Sequence, residues 1–376
     1  MSADKRERTE TKVTKVFNVN LVKRRLVVLA VAAALSIGIV PAHAQEVPAP
    51  APVQEQLAEV PTAPAPIETP ADSAPAGEQL VPEGVQEAMP VAPAPVPVIP
   101  VQEDPTVNPV QPVANGQTVS VDVEHEGKPR RYLLRIPDNY NPDDAAPVLF
   151  GFGGWEDSPE NFSSYARMWN TGAHGEAIIV YPEGYERAWE AAPYAKTRDG
   201  EDIRFIKRIL DDIDLDYRVD RSRVYAMGMS NGGGFTSVLG CHAQDTFAAV
   251  AMVSGAFYNP VEMNCVDAPM ATLIMHGTAD KMMTYDGGTR HEAGYLPVRA
   301  VLGGYLNRNR CDMTFMSEPA ASGSERLNFN GCQQPVELLK VPADHTWFWA
   351  PDAANEVWNF LSDKHKYVVP APAPTA

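Results

Sequence analysis

The residues best suited to chemistry lie around Ser230. An apolar, strand-like stretch beginning at Val224 ends in Gly228-x-Ser230-x-Gly232, and a helix-compatible segment follows it. A serine on such a sharp strand-to-helix turn presents its hydroxyl at an exposed position, and the flanking glycines let the chain reverse without side-chain collisions. The pattern therefore predicts that Ser230 is a nucleophile for acyl transfer.

A nucleophilic serine needs a base, and the base needs a group that orients it. Asp280 follows the apolar run 271–277, and His345 follows the strand-like run 336–341. Catalytic groups in open parallel sheets gather at the carboxyl ends of strands. The chain order therefore predicts Ser230 as nucleophile, His345 as base and Asp280 as the orienting carboxylate.

Other carboxylates and histidines compete for these roles. Asp286 lies deeper in the loop that follows the first of the two strands and is the alternative orienter. Asp344 adjoins His345, and neighbouring side chains on an extended segment point to opposite sides, which argues against it. We interpret His276 as a packed, hydrogen-bonded residue and His291 as part of a polar loop.

Acyl transfer also needs hydrogen-bond donors for the oxyanion. One is expected from the backbone N–H of Asn231, the residue after the nucleophile. The second is expected from the glycine-rich loop after the apolar run 147–150, at Phe152 or Gly153.

Three tryptophans lie on the loops that carry these groups. Trp155 follows the glycine-rich loop, and Trp347 and Trp349 follow the predicted base. Aromatic side chains there could hold a sugar ring, a phenolic acid or an acyl chain. The alternative is that they cap the hydrophobic core.

The elements that position these residues alternate between strands and helices. Segments 118–124 and 131–136 predict an antiparallel hairpin. Parallel strands are expected near 147–151, 177–181, 223–228, 248–253, 271–276 and 336–341, and helices near 203–213, 302–309 and 354–364. This alternation predicts an α/β fold with a mostly parallel central sheet, helices on both faces and a single catalytic domain.

Residues from about 117 to 365 resemble the secreted esterase family of polyhydroxybutyrate depolymerases and feruloyl or acetylxylan esterases, within the α/β-hydrolase superfamily. The matching segments are 131–137, 147–154, 180–184, 202–206, 220–225, 228–233, 276–280 and 345–347. The resemblance implies an α/β-hydrolase fold, a serine carboxylic ester hydrolase and the roles given above to Ser230, Asp280 and His345.

Two segments depart from the family pattern. Phe150 replaces the histidine of the family's His-Gly-x-Gly-Gly loop, although the backbone donors of that loop are retained. Phe348-Trp349 replaces the Pro-Gly that follows His-Thr-Trp in the family. The second change predicts a more aromatic substrate wall.

The four cysteines are Cys241, Cys265, Cys311 and Cys332. An even number in an exported protein predicts two disulfides, for which three pairings are possible. The family resemblance implies the sequential pairing. No Cys-x-x-Cys and no helix-face pair of histidines indicates zinc, and we expect neither a metal nor a cofactor.

The segments outside the catalytic domain (117–366) predict export. Residues 1–44 combine a basic start, an apolar run from Leu26 to Val40 and Ala42-His43-Ala44, which together are typical of a signal peptide. Arg24-Arg25 leaves twin-arginine export as an alternative to general secretion. Residues 45–116 predict a disordered Pro/Ala/Glu-rich linker, because positions 45–114 hold 17 of the 35 prolines and no Lys or Arg. Residues 367–376 are a similar tail. We expect a monomer that is extracellular or in the cell envelope, where the linker could contact the envelope.

The net charge argues against some classes of partner. The chain carries a net charge of −17, of which residues 1–44 contribute +5 and residues 45–114 contribute −10, so the catalytic part carries about −12. An acidic surface argues against nucleic acid and anionic membranes as partners.

The substrate is left open by the sequence. A polymer depolymerase, a feruloyl or acetyl esterase, and a hydrolase of envelope acyl sugars all fit, and an acyltransferase would differ only in the alcohol that replaces water. Two other classes of protein remain as alternatives to an esterase. A serine peptidase of the same fold would need a cap or propeller domain that the length does not hold. A non-catalytic envelope- or polysaccharide-binding protein would not need a triad.

Overall fold

The computed structural model describes residues 112–368. The predicted signal peptide, the linker up to residue 111 and the tail from residue 369 lie outside the described residues. Among those that are described, no helix is long and apolar enough to cross a membrane.

The strands are β1 (Thr118–His125), β2 (Lys128–Arg135), β3 (Ala146–Phe152), β4 (Ile178–Pro182), β5 (Val219–Met229), β6 (Ala249–Val253), β7 (Ala271–Gly277), β8 (Gly288–Arg290), β9 (Ala293–Tyr295), β10 (Phe315–Pro319), β11 (Glu325–Phe329) and β12 (Val336–Val341). The helices are α1 (Pro159–Ala166), α2 (Ala173–Glu176), α3 (Glu201–Asp216), α4 (Asn231–His242), α5 (Val298–Arg308) and α6 (Ala353–Leu361). Single 3₁₀ turns lie at Met168–Asn170, Tyr185–Arg187 and Ala321–Gly323.

Within residues 112–368, ten strands form one sheet in the order β1-β2-β4-β3-β5-β6-β7-β12-β11-β10. The strands from β4 to β12 in that order pair in parallel. Antiparallel pairs extend the sheet at both edges, through β1 and β2 on one side and β11 and β10 on the other. The predicted mostly parallel sheet and its leading hairpin are therefore confirmed.

The helices cover both faces of the sheet. Val148 and Phe150 of β3 belong to one buried cluster with residues of α3, α4 and α5, whereas Leu149 belongs to a second cluster with residues of α6. Successive strand side chains point to opposite faces, so this division shows that the central strands are buried on both sides. That double burial explains why their sequences are almost continuously apolar.

Two parts of the β structure, and the short helices α1 and α2, were not predicted. The β8–β9 hairpin forms a separate two-stranded sheet, and β10 and β11 extend the main sheet beyond β12. All residues of β8 and β10 are exposed. A strand with no buried face has no alternation of apolar and polar residues, so its sequence does not reveal it.

The four cysteines form two disulfides. Cys241 at the end of α4 is joined to Cys265, and Cys311 after α5 is joined to Cys332. This is the sequential pairing that the family resemblance implied, and it crosslinks segments that both follow Ser230 in the chain.

Candidate active site

Ser230 lies on the turn between β5 and α4. Its backbone has φ 55° and ψ −119°, a conformation that non-glycine residues rarely adopt and that costs on the order of 1–3 kcal/mol. Three backbone hydrogen bonds hold it. The Ser230 N–H donates to Val253 at 3.1 Å, and the Ser230 carbonyl accepts from the N–H groups of Gly234 at 2.9 Å and Ala256 at 2.7 Å. The end of β6, the loop after it and the first turn of α4 thus hold the turn in place.

The two glycines of the motif are required by close backbone approaches. A Cβ at Gly228 would lie 2.3 Å from the Gly232 carbonyl oxygen. A Cβ at Gly232 would lie 2.1 Å from the Phe152 carbonyl oxygen. Glycine at these positions lets α4 start directly against β3 and β5, which places Ser230 at the end of the sheet.

Asp280 and His345 meet because β7 and β12 are parallel neighbours. Their carboxyl ends lie side by side, and Nδ1 of His345 lies 2.7 Å from Oδ2 of Asp280. We assign the Nδ1 proton to this contact, since the carboxylate can only accept. The other oxygen, Oδ1, accepts hydrogen bonds from the backbone N–H groups of Met282 at 2.8 Å and Met283 at 2.7 Å.

The environment of Asp280 keeps its carboxylate ionised. Burial raises the pKa of Asp280, but hydrogen bonds from His276, His345 and the backbone of Met283 outweigh it and hold that pKa well below its ordinary value. An anion is therefore available to orient and stabilise the imidazole of His345.

His276 supports the Asp280 loop. It is buried within β7, with Nε2 placed 2.9 Å from the Met283 carbonyl oxygen and 3.4 Å from Oδ2 of Asp280. The interpretation of His276 as a packed, hydrogen-bonded residue is confirmed, and its contact with the Asp280 carboxylate is new.

The second ring nitrogen of His345, Nε2, is available to act as a base. Nε2 of His345 is buried and makes no hydrogen bond within the part of the chain that the structure describes. Ser230 and His345 line the same cavity. Catalytic hydrogen bonds often tighten only once substrate is bound, so this arrangement suits proton transfer between the Ser230 hydroxyl and His345.

The alternative carboxylates occupy other positions. The side chain of Asp286 is 84% exposed and pairs with Arg299 at 3.1 Å. Asp344 accepts hydrogen bonds from the backbone N–H groups of Lys281 and His345 and so shapes the loop rather than the imidazole. Neither carboxylate contacts the His345 ring.

Asn231 begins α4, where backbone N–H groups have no partner inside the helix. Its side chain is fixed by the Trp189 backbone, whose N–H donates to Oδ1 at 2.9 Å and whose carbonyl accepts from Nδ2 at 3.3 Å. In the glycine-rich loop, the Gly154 N–H donates to Asp157 at 3.0 Å. Phe152 is fully buried, and Gly154 rather than Gly153 lines the cavity. The second oxyanion donor, at Phe152 or Gly153, stays a prediction.

A buried acidic cluster holds the segment that contacts Asn231. Asp202 pairs with Arg130 at 2.8 Å and accepts from the Glu190 N–H at 2.8 Å. Glu190 accepts from the Gly200 N–H through Oε2, whereas its Oε1 is buried with no partner in residues 112–368. Burial, and then the charge of Asp202, raise the pKa of Glu190 to about 7.

The cavity at Ser230 has a volume of about 550 Å³ and a strongly aromatic lining. All three tryptophans expected near the site line it. Trp155 stacks on Tyr194 with ring centroids 4.4 Å apart. Trp347 is buried edge-on against Phe162, and Trp349 is 61% exposed at the rim. Trp347 therefore fits both the core and the cavity interpretation, whereas Trp155 and Trp349 face the open space.

Several cavity residues were missed by sequence reasoning. Tyr194, Tyr258, Arg290 and His291 also line the cavity. His291 lies on the tip of the β8–β9 hairpin and packs edge-on against Trp155 at 5.0 Å and Tyr194 at 5.1 Å. The hairpin turn has positive φ at His291 and Glu292, but it lacks the Asn-Gly or Asp-Gly pair by which such turns are usually recognised.

A larger cavity, of about 780 Å³, lies elsewhere, beside Glu190 and His242. None of the predicted catalytic residues lines it. The smaller cavity is the candidate active site because the nucleophile and the base both open into it.

Comparisons with known proteins identify a family and a fold for this chain. A family model described as "Putative esterase" matches residues 124–347. A probable feruloyl esterase C of Aspergillus oryzae is 29% identical over 256 residues, covering 65% of this chain and 88% of the relative. Feruloyl esterase C of Emericella nidulans is 31% identical over 223 residues, covering 57% of this chain and 76% of the relative. The solved acetyl xylan esterase from Aspergillus awamori shares the fold, with a TM-score of 0.50 at 14% identity over 66% of this chain and 99% of that one.

Proposed function

The chain belongs to this esterase family and is a carboxylic ester hydrolase, and we infer that Ser230, His345 and Asp280 are its catalytic triad. One observation carries the assignment. The Asp280–His345 contact of 2.7 Å leaves Nε2 of His345 unoccupied beside a cavity that Ser230 also lines. Nucleophile, base and orienting anion thus have the relations that acyl transfer needs.

The reaction proceeds in two acyl-transfer steps. His345 takes the proton of the Ser230 hydroxyl as its oxygen attacks the ester carbonyl, and Asp280 stabilises the imidazolium that forms. Donors at Asn231 and at Phe152 or Gly153 bind the negative oxygen of the tetrahedral intermediate. The imidazolium then protonates the departing alcohol, which leaves an acyl-enzyme.

Deacylation repeats the same steps with water. His345 takes a proton from the water that attacks the acyl carbonyl, and returns it to the Ser230 oxygen as the acid is released. The strained turn at Ser230 keeps the nucleophile at one place throughout, because hydrogen bonds to β6, to the loop after it and to α4 hold its backbone.

We propose an ester of a phenolic acid with a carbohydrate as the substrate. The relatives are named feruloyl esterases. In this chain, the stacked pair of Trp155 and Tyr194, with His291 edge-on to both, forms an aromatic wall that offers ring surface to a planar acyl group.

We also propose that the enzyme works outside the cytoplasm, as a monomer. Two disulfides are typical of proteins that mature in an oxidising compartment. The predicted signal peptide and linker agree with an extracellular or envelope location.

The test is hydrolysis of methyl ferulate and of p-nitrophenyl esters from acetyl to palmitoyl. Ser230→Ala should lower kcat by about 10⁴-fold or more, because the nucleophile is lost. Ser164→Ala, which removes an exposed hydroxyl bonded only to the Asn161 carbonyl, is the matched control and should be unchanged. Near-native turnover by Ser230→Ala would refute the triad. Turnover of a matched feruloyl anilide at the same rate would favour a peptidase.

A further inference from the structure

An exposed strip of side chains runs from the cavity onto the surface. It consists of Trp349, Arg167 and Trp169, and we call it the Arg167 strip. The Arg167 guanidinium carbon lies 4.5 Å from the centre of the Trp349 ring and 6.0 Å from that of Trp169. Trp349 is 61% exposed and lines the cavity, and Trp169 is 50% exposed and lies outside it. The strip is therefore continuous with the candidate active site.

Among the described residues, the arginine of the strip lacks the carboxylate partner that most other arginines have. Most arginines of the domain pair with carboxylates, as Arg208 does with Asp212 and Arg221 does with Asp211. In residues 112–368, Arg167 forms no ion pair and its side chain donates no hydrogen bond. The same holds for Arg290, on the cavity wall. Arg290 lines the cavity, and Arg167 lies against Trp349, which also lines it, although the catalytic part carries about −12.

The geometry of Arg167 favours a planar anion. The position of the guanidinium over the Trp349 ring restricts its motion, while its N–H donors make no hydrogen bond within the described residues. A guanidinium with free donors matches a carboxylate, which accepts two parallel hydrogen bonds. Exposed indole rings on either side offer apolar surface to the C–H face of a sugar ring.

We propose that the Arg167 strip is a subsite for a polysaccharide chain that carries uronic acid carboxylates. The chain lies across Trp349 and Trp169 with a uronate on Arg167, while its ester-linked acyl group enters the cavity at Ser230. This substrate class rests on the proposed esterase function, but binding to the strip does not require turnover.

Binding is measured in a Ser230→Ala background of the mature protein by affinity electrophoresis. The two ligands are glucuronoxylan and the same polymer after chemical reduction of its carboxylates to alcohols. Arg167→Gln should weaken binding to glucuronoxylan about tenfold and leave binding to the reduced polymer within twofold, because only the charged hydrogen bonds are lost. Trp169→Ala should weaken binding to both polymers.

Two controls separate this effect from loss of folding or of general charge. Arg299→Gln removes an exposed arginine far along the chain from the strip and should change neither affinity. Arg167→Lys keeps the charge without the planar donors and should fall between wild type and Arg167→Gln.

The outcomes are distinguishable. Equal binding of the two polymers by the parent protein, no binding of either, or an unchanged preference in Arg167→Gln would overturn the uronate subsite. Failure of the Ser230-intact protein to hydrolyse any ester would refute the proposed function and leave the binding result to stand by itself.

Discussion

Replacing Asp280 by asparagine tests the candidate site most directly. Asp280 accepts three hydrogen bonds of 2.8 Å or less, two from backbone N–H groups on Oδ1 and one from Nδ1 of His345 on Oδ2. An asparagine has only one oxygen, so it cannot satisfy both sets of donors.

The backbone donors should determine how the amide sits. If the oxygen of Asn turned toward His345, its NH₂ group would face the N–H groups of Met282 and Met283, and the buried Met283 donor would be left unsatisfied at about 1–3 kcal/mol. The oxygen should therefore stay with the backbone. The NH₂ group then faces Nδ1 of His345 and forces the proton of the imidazole onto Nε2, where the base is needed.

We expect Asp280→Asn to lower kcat by about 10⁴-fold, the size known for a wrong-tautomer histidine in such triads. This corresponds to about 5 kcal/mol of transition-state stabilisation. The thermal midpoint should move by only a few degrees, because the two backbone hydrogen bonds remain. The assay is kcat for p-nitrophenyl acetate at pH 7, with thermal unfolding followed on the same samples.

Asp286→Asn is the matched control, since Asp286 is exposed and pairs with Arg299. It should keep kcat within twofold of wild type. The reasoning is refuted if Asp280→Asn keeps more than a tenth of wild-type kcat, or if Asp286→Asn loses as much as Asp280→Asn.

Three predictions concern stability. The pKa of Glu190 is about 7 when folded and about 4.3 in an unfolded chain, so its protonated form stabilises the fold at low pH. The free energy of unfolding should therefore fall by about 3 kcal/mol as the pH rises from 4 through 7, and Glu190→Gln should remove that dependence in denaturant titrations at pH 5 and 8. Removing the Cys241–Cys265 disulfide, whose cysteines are 24 residues apart, by substitution with alanine should lower the free energy of unfolding by about 3 kcal/mol. Gly232→Ala should lower the free energy of unfolding by about 3 kcal/mol or more, because the added Cβ would lie 2.1 Å from a carbonyl oxygen. Gly303→Ala in α5, where the added Cβ has open space around it, should raise the free energy of unfolding by about 0.5–1 kcal/mol.

Each of these has a result that would contradict it. For Glu190→Gln, the contradicting result is a free energy of unfolding that depends on pH as it does in wild type, whatever its absolute value. For the disulfide it is an unchanged thermal midpoint under non-reducing conditions. For the glycines, equal effects at Gly232 and Gly303 would show that close backbone contact does not decide the outcome.

The fold class and the candidate triad were readable from the sequence because their signals are local. The Gly-x-Ser-x-Gly spacing is set by the turn itself, and continuous apolar runs mark strands buried on both faces. Ser230, Asp280 and His345 each follow such a run. The rule that active groups lie at the carboxyl ends of parallel strands then brings them to one edge without any knowledge of the strand order.

The tertiary structure decided what depends on contacts between distant segments. Asp280 and Asp286 share one loop, and only the pairing of β7 with β12 shows that Asp280 is the carboxylate within reach of His345. The cavity wall of Tyr194 and His291 joins segments nearly a hundred residues apart, on a loop and a hairpin whose exposed sequences carry no periodic pattern. Sequence periodicity shows which face of a helix or strand is buried, but not which other element packs against that face. The packing partner is known only once the strand order of the sheet is known.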